Sequence, residues 1–148
     1  MTQPLFVDTG GWIAYFDKSD NAHVIFTDCL SQAIRGTAWP LHTSDYIIDE
    51  TVTFLRYHIS HATACTALDN FRDLEATGLL VCHRIDEDLR QRAEKLFRQY
   101  HDQKFSFTDC TSFALCQLRN IHHVVTADSD FRILGFLLVP YDFALQES

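Results

Sequence analysis

Acidic side chains recur in this sequence where an apolar run gives way to turn residues. Asp8 closes "LFVD" ahead of Thr9, Gly10 and Gly11, and Asp128 follows "HHVVTA". Asp109 opens the apolar stretch "CTSFALCQL", and Glu50 lies within "DYIIDETVTFL". Each has an ordinary structural reading. Asp8 and Asp128 have the type and position of N-caps, whose side-chain oxygens accept from free N–H groups at a helix start. Ser106 and Asp109 form the S-x-x-D pattern of a capping box. Glu50 is harder to place: Ile47, Glu50, Thr51, Phe54 and His58 have helical spacing, which predicts a glutamate on the core-facing stripe. Glu is seldom buried without a partner. If these carboxylates converge, they repel one another and raise one another's pKa values. Divalent cations remove that conflict. A site of carboxylates without His or Cys suits Mg²⁺ or Mn²⁺ and metal-assisted phosphoryl chemistry.

Strands and helices must bring the acids together. Five apolar runs read as strands: "PLFVD", "WPLHTS", "LLVCHRI", "HHVVTAD" and "GFLLVP". Between them lie helical stretches. "GWIAYFDKSD" reads as a short helix, and "NAHVIFTDCLSQAIRG" as a longer one ending at Gly36, although "HVIF" also fits a strand. Thr43 and Ser44 are candidate caps for "DYIIDETVTFLRYHI", and Gly78 stands where a helix C′ residue belongs. Leu89, Ala93, Leu96, Phe97 and Tyr100 form one stripe of a strongly amphipathic helix. Strands alternating with helices predict an α/β fold, a parallel sheet of about five strands covered on both faces. Ligands bind such sheets beyond the carboxyl ends of the strands. Asp8 and Asp128 share that edge, and Asp109 reaches it if its helix starts there.

Composition narrows the classes. The 148 residues are 47% hydrophobic and 22% charged, as in a folded chain. No linker or repeat interrupts them, so residues 1–148 read as one domain. The net charge of −8 argues against indiscriminate binding of phosphate backbones, while leaving room for acids gathered around a cation. Five cysteines in apolar contexts include no C-x-x-C pair, which speaks against a zinc site or a disulfide framework. The N-terminus has no signal-peptide pattern and no run approaches a membrane span, so the expected location is cytoplasmic. Arg90, Arg92, Lys95 and Arg98 lie in the densest basic stretch, interleaved with Glu94, and read as a solvated, ion-paired face. Arg132 is either a phosphate contact or a plain surface residue.

Four segments, in order, resemble the PIN-domain family, and within it the short VapC-type toxins of bacteria and archaea. They are "FVDTGGWIAYFDKSDNAH", "SDYIIDET", "FSFTDCTSFALC" and "VVTADSDFRILGF". The resemblance covers nearly the whole chain. It implies a Mg²⁺- or Mn²⁺-dependent ribonuclease with Asp8, Glu50, Asp109 and Asp128 as catalytic and metal-holding residues. It further implies Asp130 as a candidate supplementary ligand and Thr9, Ser106 and Thr126 as polar support. It also implies a homodimer and a neutralising protein antitoxin. Trp12, Tyr15 and Phe16 offer aromatic surface either for a dimer interface or for the protomer's own core. Gly10 departs from the family, which often has Ser or Asn there. The rival reading is a non-catalytic PIN-like module that binds RNA or protein; such a module is expected to have lost one or more of the acids.

Overall fold

The apolar runs form strands in the computed structural model, which describes residues 3–36 and 40–143. The order is β1 (Leu5–Val7), α1 (Thr9–Phe16), α2 (His23–Gly36), β2 (Leu41–Ser44), α3 (Asp45–His58) and α4 (His61–Ala76). There follow β3 (Leu80–His83), α5 (Glu87–Gln99), α6 (Phe107–Arg119), β4 (His123–Val125), α7 (Asp130–Ile133) and β5 (Leu137–Val139). The five strands make one sheet in the order β3-β2-β1-β4-β5, with every pairing parallel. This is the α/β architecture the alternating pattern predicts, flanked by seven helices among the described residues. "HVIF" is helical, within α2. Trp39, at the head of the predicted second strand, lies outside the described residues. No helix among the described residues is long and apolar enough to cross a membrane.

The chain leaves β1 toward β2 and β3, then returns to add β4 on the other side of β1. The carboxyl ends of β1 and β4 therefore flank the switch point of the sheet, where the connections diverge and leave a crevice. Leu5, Phe6 and Val7 pair in register with His123, Val124 and Val125. The residues that follow, Asp8 and Thr126, emerge side by side.

Local chemistry ends the helices as expected. Ser44 caps α3 by accepting from Ile47 N–H at 3.2 Å. Gly78 takes the left-handed conformation (φ 76°) just past α4. Thr43 is not a cap. It sits in β2, where its hydroxyl accepts from Trp12 Nε1 and donates to the Val7 carbonyl, both at 3.3 Å. Trp12 is fully buried and packs edge-on against Phe71 at 4.9 Å, with Tyr15 and Phe16 partly buried beside it. These aromatics belong to the protomer's own core. They supply no motive for a dimer.

Two helical stripes differ from expectation. On α3 the buried positions are Ile47, Thr51 and Leu55, one every fourth residue. Glu50 and His58 are exposed, because successive positions on a helix turn by about 100° and Glu50 falls outside the stripe that Ile47, Thr51 and Leu55 define. On α5, Leu89 and Ala93 are buried while Phe97 is 49% exposed.

Gly11 lets α1 press onto the sheet. A Cβ there would lie 2.6 Å from the Val125 carbonyl oxygen and 3.2 Å from Val7 Cγ1. The neighbouring Gly10 is exposed, and a Cβ on it would meet only Thr126 Oγ1, at 3.9 Å. Gly11→Ala is expected to destabilise the protein by roughly 1–3 kcal/mol through overpacking. Gly10→Ala should be neutral or slightly stabilising, since alanine is the better helix former. Urea unfolding midpoints of the two variants check both statements.

Candidate active site

The register of β1 and β4 sets the deepest part of the site. Asp8 is 6% exposed and stands at the N-cap of α1, yet its side chain makes no cap hydrogen bond. Its Oδ2 instead accepts from the Thr126 hydroxyl at 3.0 Å. The same hydroxyl accepts from the Asp128 N–H at 3.0 Å. One fully buried threonine thus joins the side chain of the first acid to the backbone of the last. Thr9, next to Asp8, is also buried, and its Oγ1 has no hydrogen-bond partner among the described residues.

Asp109 forms the capping box that its sequence context predicts. Its N–H donates to Ser106 Oγ at 2.9 Å and its Oδ2 accepts from Ser106 N–H at 3.0 Å. This fixes the carboxylate at the first turn of α6 and occupies Oδ2. Asp128 does not cap in the usual way; its Oδ1 accepts from Asp130 N–H at 2.9 Å, a turn that leads into α7. The turn brings Asp130 back toward the others. Asp109, Asp128 and Asp130, all half-buried, each place a carboxylate oxygen within 4.8 Å of the other two.

Electrostatics tie Asp8 and Glu50 to this trio. Burial pushes the Asp8 carboxyl up to about 7, with further upward pressure from Asp109 and Asp128; hydrogen bonds from Thr126 and Thr9 oppose the rise. Burial also raises Asp109, aided by the charges of Asp128 and Glu50, while the Ser106 hydrogen bonds pull the other way. Asp130 is raised too, by desolvation and then by Asp128. None of the five acids is in an ion pair among the described residues. Glu50 is therefore a rim residue that acts on Asp109 through its charge, with no burial to explain.

The donor set fits a divalent cation. It is all carboxylate oxygen, uncompensated by any basic partner among the described residues and partly desolvated. Two oxygens on one Mg²⁺ stand at most roughly 4.2 Å apart, twice the bond length, so small side-chain rotations would let the trio share one ion. Asp130, which the sequence marks only as a supplement, stands as close to the other two as they do to each other, within 4.8 Å; an acid two residues beyond a strand-closing Asp was the available signal. Arg132 forms a bidentate pair with Asp142, at 2.7 and 2.9 Å, and is a surface structural residue.

A switch-point crevice edged with carboxylates on a five-stranded parallel sheet defines an α/β protein with an acidic, cation-suited site. The chain belongs to the PIN-domain family, whose model matches residues 5–137. Among curated relatives it is 27% identical over 136 residues to the 23S rRNA-specific endonuclease VapC20 of Mycobacterium tuberculosis, covering 91% of this chain and 97% of that protein. A VapC ribonuclease from Archaeoglobus fulgidus is 24% identical over 128 residues, covering 86% and 78% of the two chains. The crystal structure of VapC20, described as a sarcin–ricin loop cleaving toxin, matches with a TM-score of 0.79 at 24% identity, over 90% of this chain and 96% of that one. VapBC2 from Rickettsia felis, solved bound to a DNA fragment from its promoter, matches with a TM-score of 0.67 at 13% identity, over 92% and 97%. At these identities the two structures speak for the shared fold.

The raised Asp8 carboxyl has a signed consequence. In cation-free protein the folded state holds its proton up to about pH 7, whereas an unfolded Asp releases it near 3.8. The native state therefore binds more protons in that window, and stability falls as pH rises through it. Asp8→Asn, which can still accept from Thr126, should be the more stable protein in EDTA at pH 8. The difference should close toward pH 4, as thermal melts across pH will report.

Proposed function

We propose that this chain, acting as a single domain over residues 1–148, is a divalent-metal-dependent endoribonuclease and the toxin of a toxin–antitoxin pair. The observation that carries the reading is the gathering of Asp8, Asp109, Asp128 and Asp130 at the carboxyl edge of the sheet without a basic partner among the described residues. Such an arrangement is self-repelling unless a cation or protons neutralise it. The relatives named as ribonucleases and the VapBC assembly among the structural neighbours support the substrate class and the antitoxin. A homodimer accords with the family resemblance. An RNA substrate would place the activity in the cytoplasm.

Asp109, Asp128 and Asp130 would hold Mg²⁺ or Mn²⁺, with Asp8 beneath them and Glu50 at the rim. Bound there, such a cation would supply an activated water and stabilisation of the charge that builds on the leaving oxygen of a phosphodiester. The protein's own contribution is placement. Thr126 orients Asp8, and the Ser106 capping box turns one oxygen of Asp109 onto backbone and leaves the other without a hydrogen-bond partner among the described residues. Burial pushes the Asp8 carboxyl up to about 7 in the cation-free chain, so the share of it that is protonated near neutral pH would lose its proton on cation binding. A non-catalytic PIN-like module has no use for five acids kept together, and that reading is the weaker one.

Asp109→Asn separates capping from chemistry. The amide oxygen can still accept from Ser106 N–H, so stability should change by at most about 1 kcal/mol. Mn²⁺-dependent cleavage of RNA should fall by orders of magnitude. Wild-type cleavage rates in a folded Asp109→Asn protein would refute the assignment.

A further inference from the structure

Where α5 meets α6 there is a cavity of about 510 Å³ that the carboxylate chemistry does not use. Its volume is typical of sites for small organic groups. Four aromatic rings line it: Phe97, Tyr100, Phe105 and Phe107. Phe105 is a fixed wall, 7% exposed and packed at 5.0 Å against the buried Phe113. Phe97 is the open wall. It is 49% exposed, tilted at 65° to Phe107 with ring centres 6.1 Å apart, on a helix that had a buried stripe available to it. An aromatic left this open beside a cavity is offered to something that stacks.

The polar lining decides what stacks. Arg98, His101 and Gln103 bring donors, and Glu94 and Gln103 bring acceptors. An acid in the wall disfavours a phosphate, while a mixed edge of donors and acceptors matches the edge of a nucleobase. Charge favours RNA nearby. Arg90 and Arg92 are tied to Glu87, Glu94 and Asp88, but Lys95, Arg98 and Lys104 are in no ion pair among the described residues. Arg98, which lines the cavity, is thus an unneutralised cation there, with Lys95 and Lys104 close to it in sequence, in a chain of net charge −8. The cavity and the acids are linked through one helix start: Phe107, which lines the cavity, and Asp109 share the first turn of α6.

We propose that this cavity receives one unstacked base of the RNA substrate, with Phe97 as its stacking face, and so contributes to choosing where the RNA is cut. Sequence-specific RNA recognition works largely on splayed single-stranded bases held against aromatic rings and Arg planes. The proposal rests on the ribonuclease reading and names a specificity subsite for it.

The test measures affinity apart from chemistry. Fluorescent single-stranded homopolymers of A, C, G and U, and an abasic oligonucleotide of the same length, are titrated with the Asp109→Asn protein in Mn²⁺. The same protein carrying Phe97→Ala or Phe97→Trp is compared with it. Base–aromatic stacking leads one to expect that Phe97→Ala weakens at least one homopolymer by about tenfold or more. Phe97→Trp should retain it, and the abasic strand should bind all three proteins alike. Equal binding of every homopolymer by Phe97→Ala, or an equal loss for the abasic strand, overturns the proposal. So does unchanged RNA binding with loss of a protein partner, which would make the cavity a protein dock. RNA cleavage by the wild type separates the two levels: cleavage with Phe97-independent affinity removes the base pocket alone, and no cleavage removes the ribonuclease reading with it.

Discussion

Parallel pairing of β1 with β4 is the constraint on which the rest depends. Both strands are short and fully apolar at their carboxyl ends, and Val7 sits opposite Val125. The next residues have no freedom to separate, so Asp8 and Thr126 meet at 3.0 Å. Gly11 lets α1 close over this junction, and Trp12 locks the helix to β2 through Thr43. Slipping β4 by one residue would turn Thr126 to the opposite face of the sheet, away from Asp8. The hydrophobic core thus holds the site in place without taking part in its chemistry.

That rigidity has an electrostatic cost. Asp8 is brought out of water beside two other acids, and its hydrogen bonds offset only part of the penalty. Capping and turn formation hold Asp109 and Asp128 for local reasons. The local roles and the shared role are not rivals. A capped carboxylate is a placed carboxylate, and the capping box uses one of its two oxygens.

Much of this was legible in the sequence because it follows from where elements start and stop. The strand-closing Asp8 and Asp128 and the S-x-x-D box at Asp109 needed only the α/β pattern to be brought to one edge. Glu50 was misjudged because stripe assignment depends on helix phase: counting from Ile47 by threes reaches Glu50, while the helix buries Ile47, Thr51 and Leu55. Phe97 failed in the same way on α5, where Leu89 and Ala93 are buried and Leu96 and Tyr100 pack partly buried against the core. Trp12 left two options open, and partners far along the chain, the Thr43 hydroxyl and the Phe71 ring, decide for the core. The closeness of Asp130 to Asp109 is set by the turn into α7, a detail of backbone geometry that spacing alone does not contain.

The central claim is that these acids share protons when free and a divalent cation when bound. Calorimetric titration of Mn²⁺ at pH 7 in buffers of differing ionisation enthalpy measures both parts together, since the dependence on buffer gives the protons released. A carboxyl raised to about 7 is partly protonated there, so Mn²⁺ should bind with a measurable fractional release of protons. Release should shrink toward zero at pH 9 and in Asp8→Asn. Mn²⁺ binding with no proton release at pH 7, or no binding at all, would contradict it.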